Sequence, residues 1–439
     1  EALSPSDQKH AQIRAKYHVE ELITFLSEHP QSKSIALQFQ DDQLVDSTRV
    51  YRALNSHFKK ERQFYVLGDT SYSACCIDDV NASHAKANDM IIKFGHSCLS
   101  TKSRSKQNED KRLVYVVTEP VSPTSSPLLT PELLSKVVDS LPGGEEAGQA
   151  QLLIYFDFSY YSRGLQWWSQ APALQSLAPQ NVYFGHVDTD SFILMPGSPS
   201  PSKKPEDPSG ASLDEAKVLG RLFRNSEGET VTEEDLAKNK ATRFLYIGDY
   251  DEYAEEDDPD WAPSQSRYQK FILPNLSLES VQEVFHFSPQ RAGGEEKAVA
   301  DKARQKLIMK RYGNLERLET AEIVGILIGT VVCDNHMKII NFLKRVLLAQ
   351  GKKYYEVLIG KINEPKLRNF QFIDLYVIIA CPEMSLVDFK RFNTHVVTPH
   401  ELLMALRPQT FPWQSKIITN FNTLLAMAEG QGEQASENQ

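Results

Sequence analysis

Two kinds of apolar pattern alternate along the chain. Short runs rich in β-branched and aromatic residues are often apolar throughout, which is typical of strands in a parallel sheet that is covered on both faces. Between these runs, apolar residues recur every three or four positions, as in amphipathic helices. Asn335 to Leu348, for example, places Ile339, Leu343 and Val346 on one stripe before Gly351. The alternation predicts an α/β fold of parallel strands joined by crossover helices.

The predicted strands fall into three groups of four. We interpret each group as one small domain of a repeated type, with a mostly four-stranded parallel sheet and flanking helices. A single large sheet with insertions is the alternative. The predicted domains are residues 1–120, 121–290 and 291–427. The predicted strands are Ile35–Phe39, Phe64–Gly68, Met90–Phe94 and Leu113–Val117; Leu152–Phe156, Val182–Val187, Phe244–Gly248 and Lys270–Leu273; and Val324–Val332, Tyr355–Gly360, Leu375–Ala380 and His395–Thr398.

Several polar segments lack the apolar residues that a packed element needs, and they predict surface loops or disorder. A Pro/Ser/Lys tract, Pro196 to Ser212, predicts a disordered insertion over about residues 196–240 of the second domain. Residues 428–439 predict a disordered tail. The acidic run Glu255 to Asp258 could bind a cation, but a solvated loop is the favoured interpretation. Two further predicted loops are Lys102–Lys111 and Asp249–Pro263.

Composition excludes several classes of protein. The 439 residues are 41% hydrophobic and 24% charged, so the chain is neither wholly disordered nor collagen-like. A net charge of -10 argues against general nucleic-acid binding, which depends on neutralising phosphates. The longest apolar run, Ile323 to Cys333, is too short for a membrane-spanning helix. No signal-peptide pattern is visible, so we expect a cytoplasmic protein without membrane contacts. The start at Glu1 indicates a trimmed chain, which leaves open the loss of a targeting segment.

Four of the five cysteines follow predicted strands, at the sheet edge where parallel α/β proteins bind ligands. Cys75 and Cys76 follow the second strand of the first domain, and Cys98 follows the third. Cys381 directly follows a strand of the last domain. Thiolates that converge from separate domains suit an iron–sulfur cluster or a zinc ion, and idle buried thiols are the alternative. Cys333 is interpreted as a core thiol.

For several other candidate residues, a structural role such as packing or helix capping is weighed against a functional one. His96 could be an acid–base group, but packing at a strand end is favoured. Asp69, Asp78 and Asp79 are expected to bond nearby backbone or to cap a helix that begins near Asp78. Trp167 and Trp168 are interpreted as core or interface aromatics. The chain contains no phosphate-binding loop, dinucleotide fingerprint, zinc-protease motif or nucleophile elbow.

Motifs at both ends of the chain resemble the diphthamide-synthesis transferases, and they occur in the family's order. The middle of the chain resembles the family weakly. The motifs are Leu37-Gln38-Phe39 with Asp41-Asp42, Val66-Leu67-Gly68-Asp69-Thr70, Ser73-Ala74-Cys75-Cys76-Ile77-Asp78, Phe94-Gly95-His96-Ser97-Cys98-Leu99, Gly360-Lys361-Ile362-Asn363, Lys366-Leu367 with Asn369-Phe370, Ala380-Cys381-Pro382-Glu383, and Val397-Thr398-Pro399 with Glu401-Leu402.

The resemblance implies three small α/β domains arranged around a central 4Fe–4S cluster. Members of this family cleave S-adenosylmethionine to a 3-amino-3-carboxypropyl radical. The radical is added to a histidine of translation elongation factor 2, which is the first step of diphthamide synthesis. In eukaryotes the enzyme is a heterodimer of homologous subunits, and a small iron-binding electron carrier with its reductase supplies electrons.

A departure from the family pattern indicates the type of subunit. Catalytic members carry one ligand cysteine in each domain, whereas the region around Gly185, His186 and Asp188 offers no thiol here. The chain therefore resembles the auxiliary subunit, which supports reduction of the catalytic cluster in its partner. It would have no catalytic residue of its own, and S-adenosylmethionine would be used by the partner. A catalytically complete homodimer and a structural scaffold without a redox role are the alternatives.

The expected metal ligands are Cys76, Cys98 and Cys381, with Cys98 in place of the missing middle-domain cysteine. Neighbouring side chains diverge in helices and in strands, so only one of the adjacent pair is expected to ligate. Cys76 is preferred because it lies closer to the expected helix start, and Cys75 is its alternative. The resemblance implies pairing with the homologous subunit through the first and third domains. Tyr72 and Trp168 are aromatic residues that we expect to be exposed, which also favours pairing.

Overall fold

The computed structural model describes most of the first and third domains and parts of the middle one. The described residues are 5–59, 61–68, 72, 75–84, 89–99, 112–118, 151–170, 181–187, 192–194, 219–232, 235–236, 242–248, 281–289, 296–298, 301–360, 362, 364–386, 394–413 and 417–436.

These residues form strands and helices in alternation. The strands are β1 (Ser34–Gln38), β2 (Gln63–Val66), β3 (Met90–Phe94), β4 (Arg112–Val116), β5 (Gln151–Phe156), β6 (Val182–Val187), β7 (Phe192–Leu194), β8 (Arg221–Arg224), β9 (Thr230–Val231), β10 (Thr242–Ile247), β11 (Val281–Phe287), β12 (Glu296–Ala298), β13 (Ile323–Ile328), β14 (Lys353–Leu358), β15 (Leu375–Ile379) and β16 (Val396–Val397). The helices are α1 (Pro5–Lys16), α2 (Val19–Glu28), α3 (Ser47–Phe58), α4 (Asp79–His84), α5 (Tyr161–Gln170), α6 (Asp301–Thr320), α7 (His336–Ala349), α8 (Glu364–Arg368), α9 (Pro382–Ser385), α10 (Pro399–Leu406) and α11 (Phe421–Ser436); short 3-10 helices cover Leu44–Asp46 and Phe158–Tyr160.

The first sheet has the strand order β2-β1-β3-β4-β7, and its neighbouring strands are parallel. Its last strand, β7, lies within the range predicted for the second domain, residues 121–290. The chain therefore returns to the first sheet after β6. One face of this sheet packs against α1, α2 and α3 through apolar residues such as Tyr17, Leu22 and Leu54. The buried stripes of α2 and α3 explain why these segments fold as helices, and α3 is the crossover between β1 and β2.

The middle sheet has the order β12-β11-β10-β5-β6-β8-β9. Its centre is parallel, while β12, β8 and β9 pair antiparallel at the two edges. The first and middle sheets share one apolar core, which contains Ala36, Ile91 and Tyr115 from the first sheet with Leu152 and Ile154 from the middle one. The shared core fixes these two sheets against each other.

The third sheet is the smallest, with the parallel order β14-β13-β15-β16. α7, α10 and α11 cover one face through residues such as Leu343, Leu402 and Leu424. The core on this face also includes Cys75 and Cys76 from the first domain, so apolar packing continues between the first and third domains.

The mixed α/β architecture with mostly parallel sheets confirms the predicted fold class. The described strands number five, seven and four, so the third sheet has the expected four strands and the other two sheets have more. β11 was missed because Glu283 and His286 interrupt its apolar pattern. The predicted strand Lys270–Leu273 lies outside the described residues, as do the loops 102–111 and 249–263 and the acidic run 255–258.

Two predictions of disorder are wrong in part. Within the expected insertion 196–240, the structure describes β8 and β9, which extend the middle sheet, and Leu222 and Phe223 are buried there. The expected tail 428–439 continues α11 as far as Ser436. The apolar run that begins at Ile323 forms a strand only to Ile328. None of the described helices is long and apolar enough to cross a membrane.

Candidate metal centre

Four cysteine sulfurs meet where the first and third domains touch. The Sγ atoms of Cys75, Cys76, Cys98 and Cys381 all lie within 4.8 Å of one another. Cys75 and Cys381 are 3.6 Å apart, and Cys76 and Cys98 are 3.7 Å apart. Cys98 is half-buried and the other three are buried, so the group lies beneath the surface.

The loop that carries Cys75 and Cys76 is held by a buried glutamine at the end of β1. Gln38 donates its side-chain N–H to the Cys76 carbonyl oxygen at 2.8 Å and accepts from the backbone N–H of Asp78 at 2.9 Å. Asp78 in turn accepts from the backbone N–H of Asn81 at 2.9 Å, which caps α4 as predicted. These bonds fix the C-terminal end of the dipeptide.

Cys98 reaches the site through a tight turn after β3. Gly95 has a φ of +81°, and a Cβ there would come within 2.8 Å of the side chains of Gln40 and Gln43, so glycine is required at this position. The backbone N–H of Cys98 and the Ser97 hydroxyl both donate to the Cys75 carbonyl oxygen at 3.2 Å. The two cysteine loops are therefore bonded directly to each other.

Cys381 follows β15 and immediately precedes the short helix α9. Its extended backbone and the proline at position 382 let the chain leave the sheet at once. The Cys381 carbonyl oxygen accepts from the backbone N–H of Ser385 at 2.9 Å and from the Ser385 hydroxyl at 3.0 Å. These bonds orient the Cys381 thiol towards the first domain.

The thiols favour their protonated form when no metal is bound. The pKa of the Cys381 thiol is raised well above its usual value by contacts with the thiols of Cys75, Cys76 and Cys98, and burial raises it further. A metal cation would remove this mutual repulsion and displace the thiol protons.

The donor set fits a thiolate-bound metal centre. Four sulfurs in a tetrahedral arrangement are the ligands of zinc and of iron–sulfur centres. With zinc–sulfur bonds of about 2.3 Å, the sulfurs of a regular tetrahedron would be about 3.8 Å apart, close to the shortest distances here. The same buried thiols supply the chemistry that an iron–sulfur cluster needs.

A polar junction of all three domains lies beside the cysteines. His96 from the first domain places Nε2 2.7 Å from a carboxylate oxygen of Glu383 in the third domain. Its Nδ1 lies 3.7 Å from a carboxylate oxygen of Asp157, at the end of β5 in the middle domain. Asp157 also accepts from the Tyr246 hydroxyl at 2.7 Å. An imidazolium between two carboxylates would bind the three domains together.

The structure brings together all the predicted ligand residues, Cys76, Cys98 and Cys381, with the alternative Cys75. The expected divergence of Cys75 and Cys76 is wrong, because they lie in a turn and bend rather than in a helix or strand. Cys333 is buried outside this group, where the Thr330 hydroxyl lies 3.5 Å from its sulfur.

The other residues singled out from the sequence lie away from the group of thiols or outside the described residues. Trp167 and Trp168 pack on the core shared by the first and middle domains, so Trp168 is not the exposed aromatic that was expected, and Tyr72 is half-buried. Burial, together with Arg224 and Arg221, lowers the pKa of His186 to about 4. Asp69 and Asp188 lie outside the described residues.

Most residues that surround the thiols were not predicted as site residues from the sequence. Lys93 and Asp157 were not singled out, and Gln38 and Glu383 were named only as parts of the family motifs, although all four lie at or near the ends of predicted strands. Lys93 carried the clearest signal, because a lysine inside an apolar strand must find a negatively charged or polar partner.

A family model described as "Putative diphthamide synthesis protein" matches residues 39–175 and 269–418, which include all four clustered cysteines. The chain belongs to this diphthamide synthesis family. The match confirms the resemblance that the motifs indicated at both ends of the chain.

The relatives of this chain described below share a name that refers to a second subunit. The protein named 2-(3-amino-3-carboxypropyl)histidine synthase subunit 2 of Danio rerio is 32% identical over 397 residues, covering 90% of this chain and 68% of its own. The protein of the same name from Schizosaccharomyces pombe is 30% identical over 409 residues, covering 92% of this chain and 67% of its own. Similarity to these proteins supports the second-subunit type within the family.

Solved structures support the fold. The crystal structure of Dph2 from Pyrococcus horikoshii matches with a TM-score of 0.55 and 14% identity, covering 91% of this chain and 93% of the other. The structure of that protein described with a 4Fe-4S cluster matches with a TM-score of 0.54 and 15% identity, over the same shares. At these identities the similarity shows the shared fold.

Proposed function

We propose that this chain is the auxiliary, electron-transferring subunit of a heterodimeric transferase. The complex would transfer a 3-amino-3-carboxypropyl group from S-adenosylmethionine to a histidine of translation elongation factor 2, the first step of diphthamide biosynthesis. This chain would hold an iron–sulfur cluster of the 4Fe–4S type and support reduction of the catalytic cluster in its homologous partner. The observation that carries the proposal is the group of four thiols between the first and third domains.

The distribution of thiols favours an auxiliary role over a complete enzyme. The middle domain contains no cysteine, so all candidate ligands come from the first and third domains. Cys98 supplies the thiol that a middle-domain residue provides in catalytic members, and four thiols can occupy every position of a metal centre. A closed ligand set leaves no open position for a substrate atom, whereas electron transfer needs none.

The side chains around the thiols suit a redox centre. When bound, an iron–sulfur cluster supplies one-electron chemistry, whose potential depends on net charge, hydrogen bonding and solvent exposure. The buried positions of Cys75, Cys76 and Cys381 limit access of water to their sulfurs. The junction of His96 with Asp157 and Glu383 holds the two cysteine-bearing domains together.

The third domain offers a surface that supports subunit pairing. Tyr355 and Phe372 are exposed, and their rings contact each other at 5.0 Å between centroids. Leu358 is exposed on the same edge strand, β14. Exposed apolar side chains along a sheet edge are typical of protein interfaces. The proposed partners are the homologous catalytic subunit, elongation factor 2, and a small iron-binding electron carrier with its reductase, all in the cytoplasm.

The test begins with anaerobic purification of this chain, alone and with the homologous catalytic subunit. We expect iron, sulfide and the visible absorption of a cluster in the chain alone. Cleavage of S-adenosylmethionine should require the catalytic subunit, and elution with that subunit in size-exclusion chromatography should show the heterodimer. Cleavage by this chain alone would support the homodimeric alternative instead.

A structural zinc site is the second candidate function, because the 3.6 and 3.7 Å sulfur distances match one tetrahedral ion. In that case the thiols would stabilise the contact between the first and third domains without a redox role. Stoichiometric zinc without sulfide, after anaerobic purification and attempted cluster reconstitution, would favour this function over electron transfer.

A further inference from the structure

Lys93 is a fully buried lysine inside an otherwise apolar strand. It lies on β3 between Ile92 and Phe94, and its relative exposure is 0%. A buried ammonium group loses its hydration, so it remains charged only beside negative charge or strong acceptors. The established family assignment and the cysteine ligands do not by themselves account for such a residue.

The strand register places Lys93 next to the cysteine loop. Its partners across the sheet are Gln38 on β1 and Tyr115 on β4. Side chains alternate along these strands, and Ala36, Ile91 and Tyr115 of the same face lie in the core shared with the middle domain. Gln38, one strand away on that face, bonds the Cys76 carbonyl oxygen and the Asp78 amide. Lys93 therefore extends along the sheet edge where the thiols meet.

The charged groups that act on Lys93 are those of the candidate metal centre. Burial lowers the pKa of Lys93, and negative charge on Cys75, Cys76, Cys98 and Glu383 raises it. Glu383 is already engaged by His96 at 2.7 Å. Metal binding would add negative charge on the sulfurs beside this lysine, because it turns thiols into thiolates.

We propose that Lys93 is the buried counter-charge of the metal–thiolate centre formed by Cys75, Cys76, Cys98 and Cys381. It acts through electrostatic attraction and is not itself a ligand. The inference rests on the thiolate centre of the proposed function, but it holds for an iron–sulfur cluster and for zinc, since each becomes a net anion with four thiolates.

Two consequences separate this role from simple packing. An apolar residue of similar length at position 93 would keep the packing but remove the positive charge. The metal-loaded protein should lose affinity through the same change. In an iron–sulfur centre, reduction adds negative charge, so the ammonium should also favour the reduced state.

The experiment compares Lys93→Met and Lys93→Arg with the wild type, using Lys338→Met as a control on the exposed face of α7. Zinc affinity is measured by competition with a chelator, and thermal unfolding is followed for the metal-free chains. We expect Lys93→Met to bind zinc at least tenfold more weakly, while thermal unfolding shows that its metal-free form still folds. Lys93→Arg and Lys338→Met should retain wild-type affinity.

The reconstituted iron–sulfur form supplies an independent readout. In Lys93→Met the ratio of reduced to oxidised cluster at a fixed potential should fall about tenfold, a midpoint lower by about 59 mV for a one-electron couple. Unchanged zinc affinity and potential in Lys93→Met would overturn the inference. Equal loss in Lys93→Met and Lys93→Arg, or failure of both to fold, would assign Lys93 a packing role instead.

The two proposals fail in different ways. If the wild type binds zinc but never iron with sulfide, the electron-transfer function is wrong, and the zinc titrations still decide the role of Lys93. If the wild type carries a cluster whose potential and stability ignore Lys93, the function stands and the counter-charge is wrong. A wild type that binds neither metal would overturn both.

Discussion

The sulfur atoms of Cys75 and Cys381 lie 3.6 Å apart, although 306 residues separate them in the sequence. One belongs to the loop between β2 and α4, and the other lies between β15 and α9 in the third domain. Apolar packing and the His96–Glu383 contact already join these domains, and a metal shared by the thiols would strengthen the contact further.

Replacing Cys381 with serine should therefore remove most bound iron and sulfide, because this thiol is the third domain's only member of the group. Cys333→Ser is the matched control: Cys333 is equally buried in the third domain but lies outside the group. Iron and sulfide analysis after anaerobic reconstitution measures the effect. Equal cluster content in the two variants would contradict the ligand role of Cys381.

Cys75 and Cys76 should each matter for metal binding, since both sulfurs lie within the same 4.8 Å group. We expect Cys75→Ser and Cys76→Ser each to weaken zinc binding by at least about tenfold, because each removes one of four metal–thiolate bonds. Chelator competition measures this. One strong and one mild effect would restore the sequence-based expectation that only one of the pair ligates.

The ends of the strands that carry the site could be predicted from the sequence. The arrangement of the thiols within the site could be predicted less well. Met90–Phe94 and Val182–Val187 have the predicted bounds, and Cys98 and Cys381 follow their strands as expected. The direction of the Cys75 side chain depends on backbone bonds from Cys98 and Ser97, which join segments distant in sequence. Such tertiary contacts leave no periodic pattern in the sequence. The strand β11 was missed because its polar residues interrupt the apolar run.

Metal binding should become tighter as the pH rises. Contacts among the thiols and burial raise the pKa of Cys381, so at neutral pH its proton must leave before the sulfur can ligate. The apparent zinc affinity of the wild type should increase with pH through the neutral range and level off only above the raised pKa. Chelator competition at a series of pH values tests this, and a flat profile would show thiols already ionised in the metal-free protein.

Glu383 should hold the third domain in place through His96. The 2.7 Å contact between His96 and Glu383 is well shielded from water, and a hydrogen bond to a charged group contributes about 1.5–3 kcal/mol. Glu383→Ala should therefore speed zinc loss to a chelator by at least about tenfold without removing a ligand. Glu316→Ala, at an exposed position on α6, is the control. Identical loss rates in both variants would show that the junction is not coupled to the metal centre.

The third domain should depend strongly on one buried ion pair. Arg311 on α6 makes two bonds of 2.8 Å to the two carboxylate oxygens of Glu401 on α10, whose side chain is 1% exposed. The same carboxylate accepts from the backbone and hydroxyl of Thr398, which completes the N-terminal cap of α10. Arg311→Met leaves a buried carboxylate without its cation, so we expect the free energy of unfolding to fall by about 3 kcal/mol or more.

A matched control is the exposed pair of Arg14 and Glu20, whose side chains are 40% and 67% exposed. Arg14→Met should lower the free energy of unfolding by less than about 1 kcal/mol, since water screens such pairs. Urea denaturation measures both variants. The double variant Arg311→Met with Glu401→Gln should recover part of the loss, because it removes the unpaired charge while keeping a group that can bond Thr398. A loss in Arg311→Met no larger than in Arg14→Met would mean that the Glu401 carboxylate is stabilised by the α10 cap alone.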